Sequence, residues 1–268
     1  MLPLEPDLET WSRRPSSRGR RPPLLFVHGG YVDGWCWTPN FLPWFAARGW
    51  PAHALSLRGH GGSGGADTLF AAGLDDYAAD VERVAGTLRE PPILIGHSMG
   101  AAIVERLIAT RPVRAAALLA PVPPTGLVPV AARLAMERHD YLAHMIHLDP
   151  LRVTADVLEA LRPFYFSDHV DAGTLDEAVR HIGIESPRAI LDMSMRMHWM
   201  PPERGGAHLM VLGAEGDRIS TPADVRATAR HHDVEAVIVS GLAHMLMLEP
   251  GWERAARAIA GWLETLDA

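Results

Sequence analysis

The chain contains no lysine, so arginine carries all of its fixed positive charge. No chemistry that needs a lysine amine, as base or Schiff-base former, is open to it. A single cysteine, Cys36, excludes an internal disulfide and any metal centre built on several thiolates. No stretch reaches the roughly 18 uninterrupted apolar residues of a membrane-spanning helix. The richest, 115–132, is broken by four prolines. Residues 1–7 show neither the basic start nor the apolar centre of a secretory signal. Arginines cluster only between Arg13 and Arg21, and the net charge is -7, which argues against a nucleic-acid partner. These absences predict a soluble, cytoplasmic protein without metal or other cofactor, acting on a small molecule.

What is present fits one large α/β unit. The 268 residues are 48% hydrophobic and 21% charged, enough apolar matter for a full core without covalent staples. Residues 24–27 are a continuous apolar run, as expected of a strand covered on both faces, 115–120 reads as another buried strand, and 52–57, 93–95, 207–212 and 235–239 read as further strands. Helical signals separate them. Thr38 followed by Pro39 predicts a helix over 38–48; Tyr77, Val81, Val84 and Leu88 share one stripe of a helix over 75–89. Segments 101–110, 222–231 (capped by Thr221) and 252–266 complete the alternation, and Leu8 to Ser12 suggests an edge strand. Strands alternating with helices imply a mostly parallel sheet. Between 122 and 202 the alternation stops. Helix-like stretches at 154–161, 175–181 and 188–197 stand out there, the last opened by Ser186-Pro187.

The chain is organised around Gly96-His97-Ser98-Met99-Gly100, where an apolar strand turns directly into a helix. Glycine on both sides allows a corner too sharp for side chains, and the corner presents the Ser98 hydroxyl ahead of a helix N-terminus. A serine nucleophile needs a base and an acid that orients the base. In open α/β sheets these come from loops at the carboxyl ends of strands. Asp217 follows the strand at 207–212 and His244 follows that at 235–239, whereas the loop after 115–120 holds no acid. Glu215 is a second acid in the Asp217 loop.

Taken together, these stretches resemble the α/β-hydrolase fold, its serine esterase and lipase-like branch. Residues 1–121 and 203–268 would form the core, with 122–202 in the position of the family's helical cap. Gly96 to Gly100 is similar to the family's nucleophile elbow, His28-Gly29-Gly30 to its oxyanion motif, and Arg58-Gly59-His60-Gly61 to a further core loop. The run from His28 to Trp37 resembles the branch related to plant methylesterases and hydroxynitrile lyases. The lyases use a cap lysine, which this chain lacks. Serine at position 98 stands where dehalogenases and epoxide hydrolases of this fold carry aspartate. The resemblance implies a triad of Ser98, Asp217 and His244, with the backbone N–H groups of Gly30 and Met99 as oxyanion hole. Tyr31 is the alternative second donor. His28 and His60 read as loop braces and His97 as a packing residue; Glu249 supports the His244 loop or starts a helix.

Substrate information rests on the insertion, which is rich in methionine and aromatics suited to an apolar pocket. The residues expected to contact substrate are Tyr31, Trp37, Met136, Tyr141, Met145, Phe164, Trp199 and Met245. The function expected is hydrolysis of carboxylic esters of apolar small molecules. Amidase, lactonase or acyl-transfer chemistry with the same triad, or a non-catalytic receptor of this fold, are the alternatives.

Overall fold

A computed structural model describes residues 5–16, 21–137, 161–195 and 206–266. Seven strands form one sheet: β1 (Thr10–Arg13), β2 (Leu24–Val27), β3 (Ala52–Leu55), β4 (Ile93–His97), β5 (Ala115–Leu119), β6 (His208–Ala214) and β7 (Ala236–Val239). Their spatial order is β1-β3-β2-β4-β5-β6-β7, with β1 antiparallel to β3 and every other pair parallel. The helices are α1 (Phe41–Ala47), α2 (Leu74–Gly86), α3 (Met99–Thr110), α4 (Leu127–Glu137), α5 (Ala172–Arg180), α6 (Pro187–Ser194), α7 (Pro222–His231) and α8 (Glu253–Thr265).

The two-residue period of the strands builds two cores. Leu24, Phe26, Ile93, Ile95, Met210 and Leu212 face one layer, where they meet Phe41 and Phe45 of α1 and Ile259 and Leu263 of α8. Leu25, Val27, Leu94, Leu118 and Val211 face the other, against Tyr77 and Val81 of α2, Leu107 of α3 and Val225 of α7. Burial on both faces explains why these strands read as unbroken apolar runs rather than alternating ones. The α7 cap is as its sequence predicts: Thr221 Oγ1 accepts from the Asp224 N–H, and the Asp224 carboxylate accepts from the Thr221 N–H.

Two stretches differ from expectation. The helix predicted over 38–48 is split. Asp33 caps a 3₁₀ turn over Gly34–Trp37 by accepting from the Trp35 N–H at 2.8 Å, and α1 begins only at Phe41. Thr38 closes the turn instead of opening a helix, and Asn40 donates to the distant Met247 carbonyl instead of capping α1. Bending there lets Trp37 and Phe41 both reach Phe26, at ring distances of 5.0 and 6.0 Å. The second difference is α4, which the prolines of 121–129 conceal. Pro129 falls in its first turn, where a missing N–H costs nothing. Of the helix expected at 154–161, all but Leu161 lies outside the described residues.

Candidate active site

The turn after β4 carries Ser98 with φ 52° and ψ -114°, a conformation that non-glycine residues avoid. Its surroundings enforce it. A Cβ on Gly96 would collide with the Gly100 carbonyl, and one on Gly100 would collide with the carbonyl of Val27. The Ser98 N–H donates to Leu119 O at 2.9 Å, tying the corner to β5. Met99 is the first residue of α3, so its N–H has no acceptor within the helix.

The loop after β2 lies beside this corner: a Cβ on Gly29 would stand 3.1 Å from Ser98 Cβ. His28, fully buried, sets the loop's direction. Its Nε2 accepts from the Leu57 N–H at 3.0 Å, so the ring proton is on Nδ1, which donates to Gly29 O at 2.7 Å. Burial first, and then the neighbouring His60, depress the His28 pKa to about 3, which keeps the ring in that neutral form. Because the Gly29 carbonyl is held this way, the N–H of Gly30, anti to it across the same planar peptide, points in the opposite direction. Neither Gly30 N–H nor Met99 N–H finds an acceptor among the described residues. The N–H of Tyr31, by contrast, is directed at a Glu185 oxygen 3.4 Å away.

The loops after β6 and β7 bring Asp217 and His244 together although 27 positions separate them. Asp217 Oδ2 lies 2.8 Å from His244 Nδ1, with the two side chains 0% and 3% exposed. The other oxygen of Asp217 accepts from the N–H groups of Ile219 and Ser220, both at 2.8 Å. The carboxylate is thereby fixed in plane and its hydrogen-bonding capacity is met in a dry setting. Glu215, the other acid of that loop, is exposed.

Ser98, His244, Gly30 and Met99 all border one cavity of about 670 Å³. Most of its wall is aliphatic, from Leu127, Val130, Leu175, Ile182, Ile190 and Met193 of the segment between β5 and β6. Tyr31 and Met245, expected at the substrate, do line it. Others do not. Trp37 is wholly buried in the core, 5.3 Å from the Phe41 ring, because the 3₁₀ turn points it inward. Met136 is 81% exposed, on the face of α4 opposite Val130 and Leu134. Phe164 packs with Val130, Leu134 and Leu161 behind the wall rather than on it. Tyr141, Met145 and Trp199 lie outside the described residues.

The partners of His97 and Glu249 are remote in sequence. His97 Nε2 donates to the His244 carbonyl at 2.9 Å, which ties the β4 end to the β7 loop. Burial, followed by the nearby His244, holds its pKa well below the imidazole range. Glu249 accepts from the N–H and hydroxyl of Ser167, at 2.6 and 2.5 Å, and the Met245 N–H donates to Tyr165 O at 2.9 Å. The segment between β5 and β6 is thus stitched to the His244 loop. Only the polar identity of Ser167 and Glu249 signals this, since they stand 82 positions apart.

A strand-to-helix serine corner with a histidine–carboxylate pair at the ends of later strands defines a class, and the comparisons agree with it. Residues 24–258 match the model of the alpha/beta hydrolase family, and the chain belongs to that family. A pyrethroid hydrolase from Sphingobium wenxiniae is 28% identical over 161 residues, a match that spans 56% of each protein. Among solved structures, an esterase from Exiguobacterium antarcticum superposes with a TM-score of 0.75 at 13% identity, over 96% of this chain and 95% of its own. A thermophilic esterase from Thermogutta terrifontis does so with 0.72 at 19%, over 100% and 97%. At such identities the likeness to these structures is one of fold. Among the described residues, no helix is long and apolar enough to cross a membrane.

Proposed function

We propose that the protein is a serine hydrolase of carboxylic esters, with Ser98 as nucleophile, His244 as base and Asp217 as the acid that orients it. The observation that carries this reading is the buried 2.8 Å Asp217–His244 pair opening onto the same cavity as a strained serine and two unpartnered N–H groups. In the first step His244 takes the Ser98 proton while Oγ attacks the ester carbonyl. The N–H groups of Gly30 and Met99 receive the oxygen as it becomes charged, and His244 then protonates the departing alcohol. Water, activated by the same histidine, attacks the acyl-enzyme and releases the acid. Asp217 holds the ring in its tautomer and stabilises the imidazolium at each stage.

Residues 122–202 act in this reading as a cap that closes the cavity and selects the substrate. A wall so poor in hydrogen-bonding groups favours an ester with a bulky apolar acyl or alcohol part, held by burial and not by polar contacts. The test is labelling with a fluorophosphonate, together with hydrolysis of p-nitrophenyl esters of increasing acyl length, an anilide, a lactone and a pyrethroid. Wild type is expected to label quickly, Ser98→Ala not at all, and turnover to be greatest on apolar esters. Equal labelling of the two proteins would overturn the nucleophile assignment.

A further inference from the structure

Glu185 is 9% exposed overall, but its carboxylate is fully enclosed and touches four groups from four parts of the chain. Oε1 accepts from the Tyr77 hydroxyl and from the Ser186 N–H, both at 2.7 Å. Oε2 lies 3.1 Å from His60 Nε2 and 3.4 Å from the Tyr31 N–H. His60 Nδ1 is 3.0 Å from Arg58 O, so both ring nitrogens face oxygens, a setting that favours the charged ring. Burial pulls the His60 pKa down, but the hydrogen bond and charge of Glu185 outweigh it and raise the value. Tyr77 is likewise pushed upward, by burial and then by Glu185.

This is a costly arrangement for mere adhesion, since an apolar cluster would join the layers at least as well. What it does uniquely is grip the oxyanion loop. Tyr31 has φ 64°, a strained value for a residue with a side chain. Its N–H is directed at Glu185, and its carbonyl accepts from the Gly183 N–H at 2.8 Å. Glu185 Oε2 would be 3.3 Å from a Cβ on Gly30, so it also abuts a residue that borders the cavity. Nearby, His181 stacks on Trp35 at 4.3 Å and its Nδ1 lies 2.9 Å from Asp33 Oδ2, while Ser186 Oγ donates to Ala72 O at 2.6 Å. The peptide before Gly30 is held from the core by His28, and the peptide after it is held from the segment between β5 and β6 by Glu185.

We propose that Glu185 is a positioning residue for the oxyanion hole: through the Tyr31 N–H it fixes the peptide after Gly30, and the His60 and Tyr77 contacts fix Glu185 in turn. This rests on the reading of Ser98 as nucleophile and Gly30 as oxyanion donor. It makes the segment that forms the cavity wall also a determinant of rate, because undocking residues 181–186 releases the strained Tyr31 backbone.

Glu185→Gln is the variant of choice. The amide keeps the shape and can still accept from Tyr77 and Ser186, and its NH₂ can donate to a neutral His60. That same NH₂ then opposes the Tyr31 N–H, donor against donor. The expected result is a fall in kcat of about tenfold to a hundredfold on a p-nitrophenyl ester with KM within twofold, below the 10²–10³ of a donor lost outright. The affinity of a trifluoromethyl ketone, whose adduct carries the oxyanion, is expected to weaken by the same factor. A kcat and ketone affinity within twofold of wild type, or a loss confined to KM, would overturn the proposal. If Glu185→Gln does not fold, Glu185→Asp, which keeps the charge but draws it back from Tyr31, is measured with the same expectations. Wild type that neither labels nor hydrolyses esters would sink the underlying reading instead, so the two failures are distinct.

Discussion

His97 Nε2 donates to the main-chain carbonyl of His244 at 2.9 Å, so the residue before the serine corner braces the residue opposite it. The rings of the two histidines are 4.7 Å apart, and burial keeps His97 neutral between Ser98 and His244. Ser98 and His244 are therefore not merely neighbours across a cavity. The end of β4 and the loop after β7 are one hydrogen-bonded unit, and the Asp217 side chain joins it through His244 while the Gly216 N–H joins it through the Leu242 carbonyl.

Asp217→Asn tests whether that acid acts alone. The variant keeps the shape and can still accept from the Ile219 and Ser220 N–H groups, so melting temperature is expected to change little. Turnover should fall by up to about 10⁴, because the His244 ring would lose its fixed tautomer. Steady-state kinetics on a p-nitrophenyl ester, beside a thermal melt, separates the two effects. Near-normal turnover would shift the role to Glu215 or another acid.

Acid should destabilise the fold well before its carboxylates protonate. The His28 pKa lies near 3 in the folded chain against an ordinary value of 6.5, and that of His97 is shifted in the same direction. Between those values the unfolded chain takes up protons that the folded one refuses, so stability is lost as pH falls from 6.5 toward 3. Each such group contributes a slope of about 1.4 kcal/mol per pH unit. His60, shifted upward, has its full stabilising effect below 6.5 and adds no opposing slope there. Urea midpoints measured at pH 7, 6 and 5 should drop steadily; a constant midpoint would show that neither histidine is neutral in the folded state.

Ile182 borders the cavity and is only half-buried, so a larger side chain can be placed there without rebuilding a core. Ile182→Trp should shorten the acyl chain accepted. The ratio of kcat/KM for a decanoyl over a butanoyl ester is expected to fall by about tenfold or more, given that one or two methylenes are worth about 1–3 kcal/mol each in such pockets. An unchanged ratio would mean that the acyl group lies elsewhere.

Local pattern alone determined much of this protein. Strands buried on both faces need continuous apolar runs, and a strand-to-helix corner needs glycine at 96 and 100, so the sheet and the serine corner are legible without coordinates. That Ser98, Asp217 and His244 each stand just past a strand was legible too. Chain bending and long-range pairing were not. Trp37 was expected at the substrate, yet a 3₁₀ turn set by Asp33 sends it into the core. Met136 falls on the outer face of α4 and Phe164 behind the cavity wall, which depends on how α4 is rotated against the segment at 161–165. Glu185 looks like nothing more than the residue before a Ser-Pro helix start. It meets His60, 125 positions away, and Tyr77, 108 away, only when the fold closes. Periodicity reports the burial of each residue against its near neighbours. Which buried polar groups complete one another depends on contacts between remote segments, and those only the tertiary structure decides.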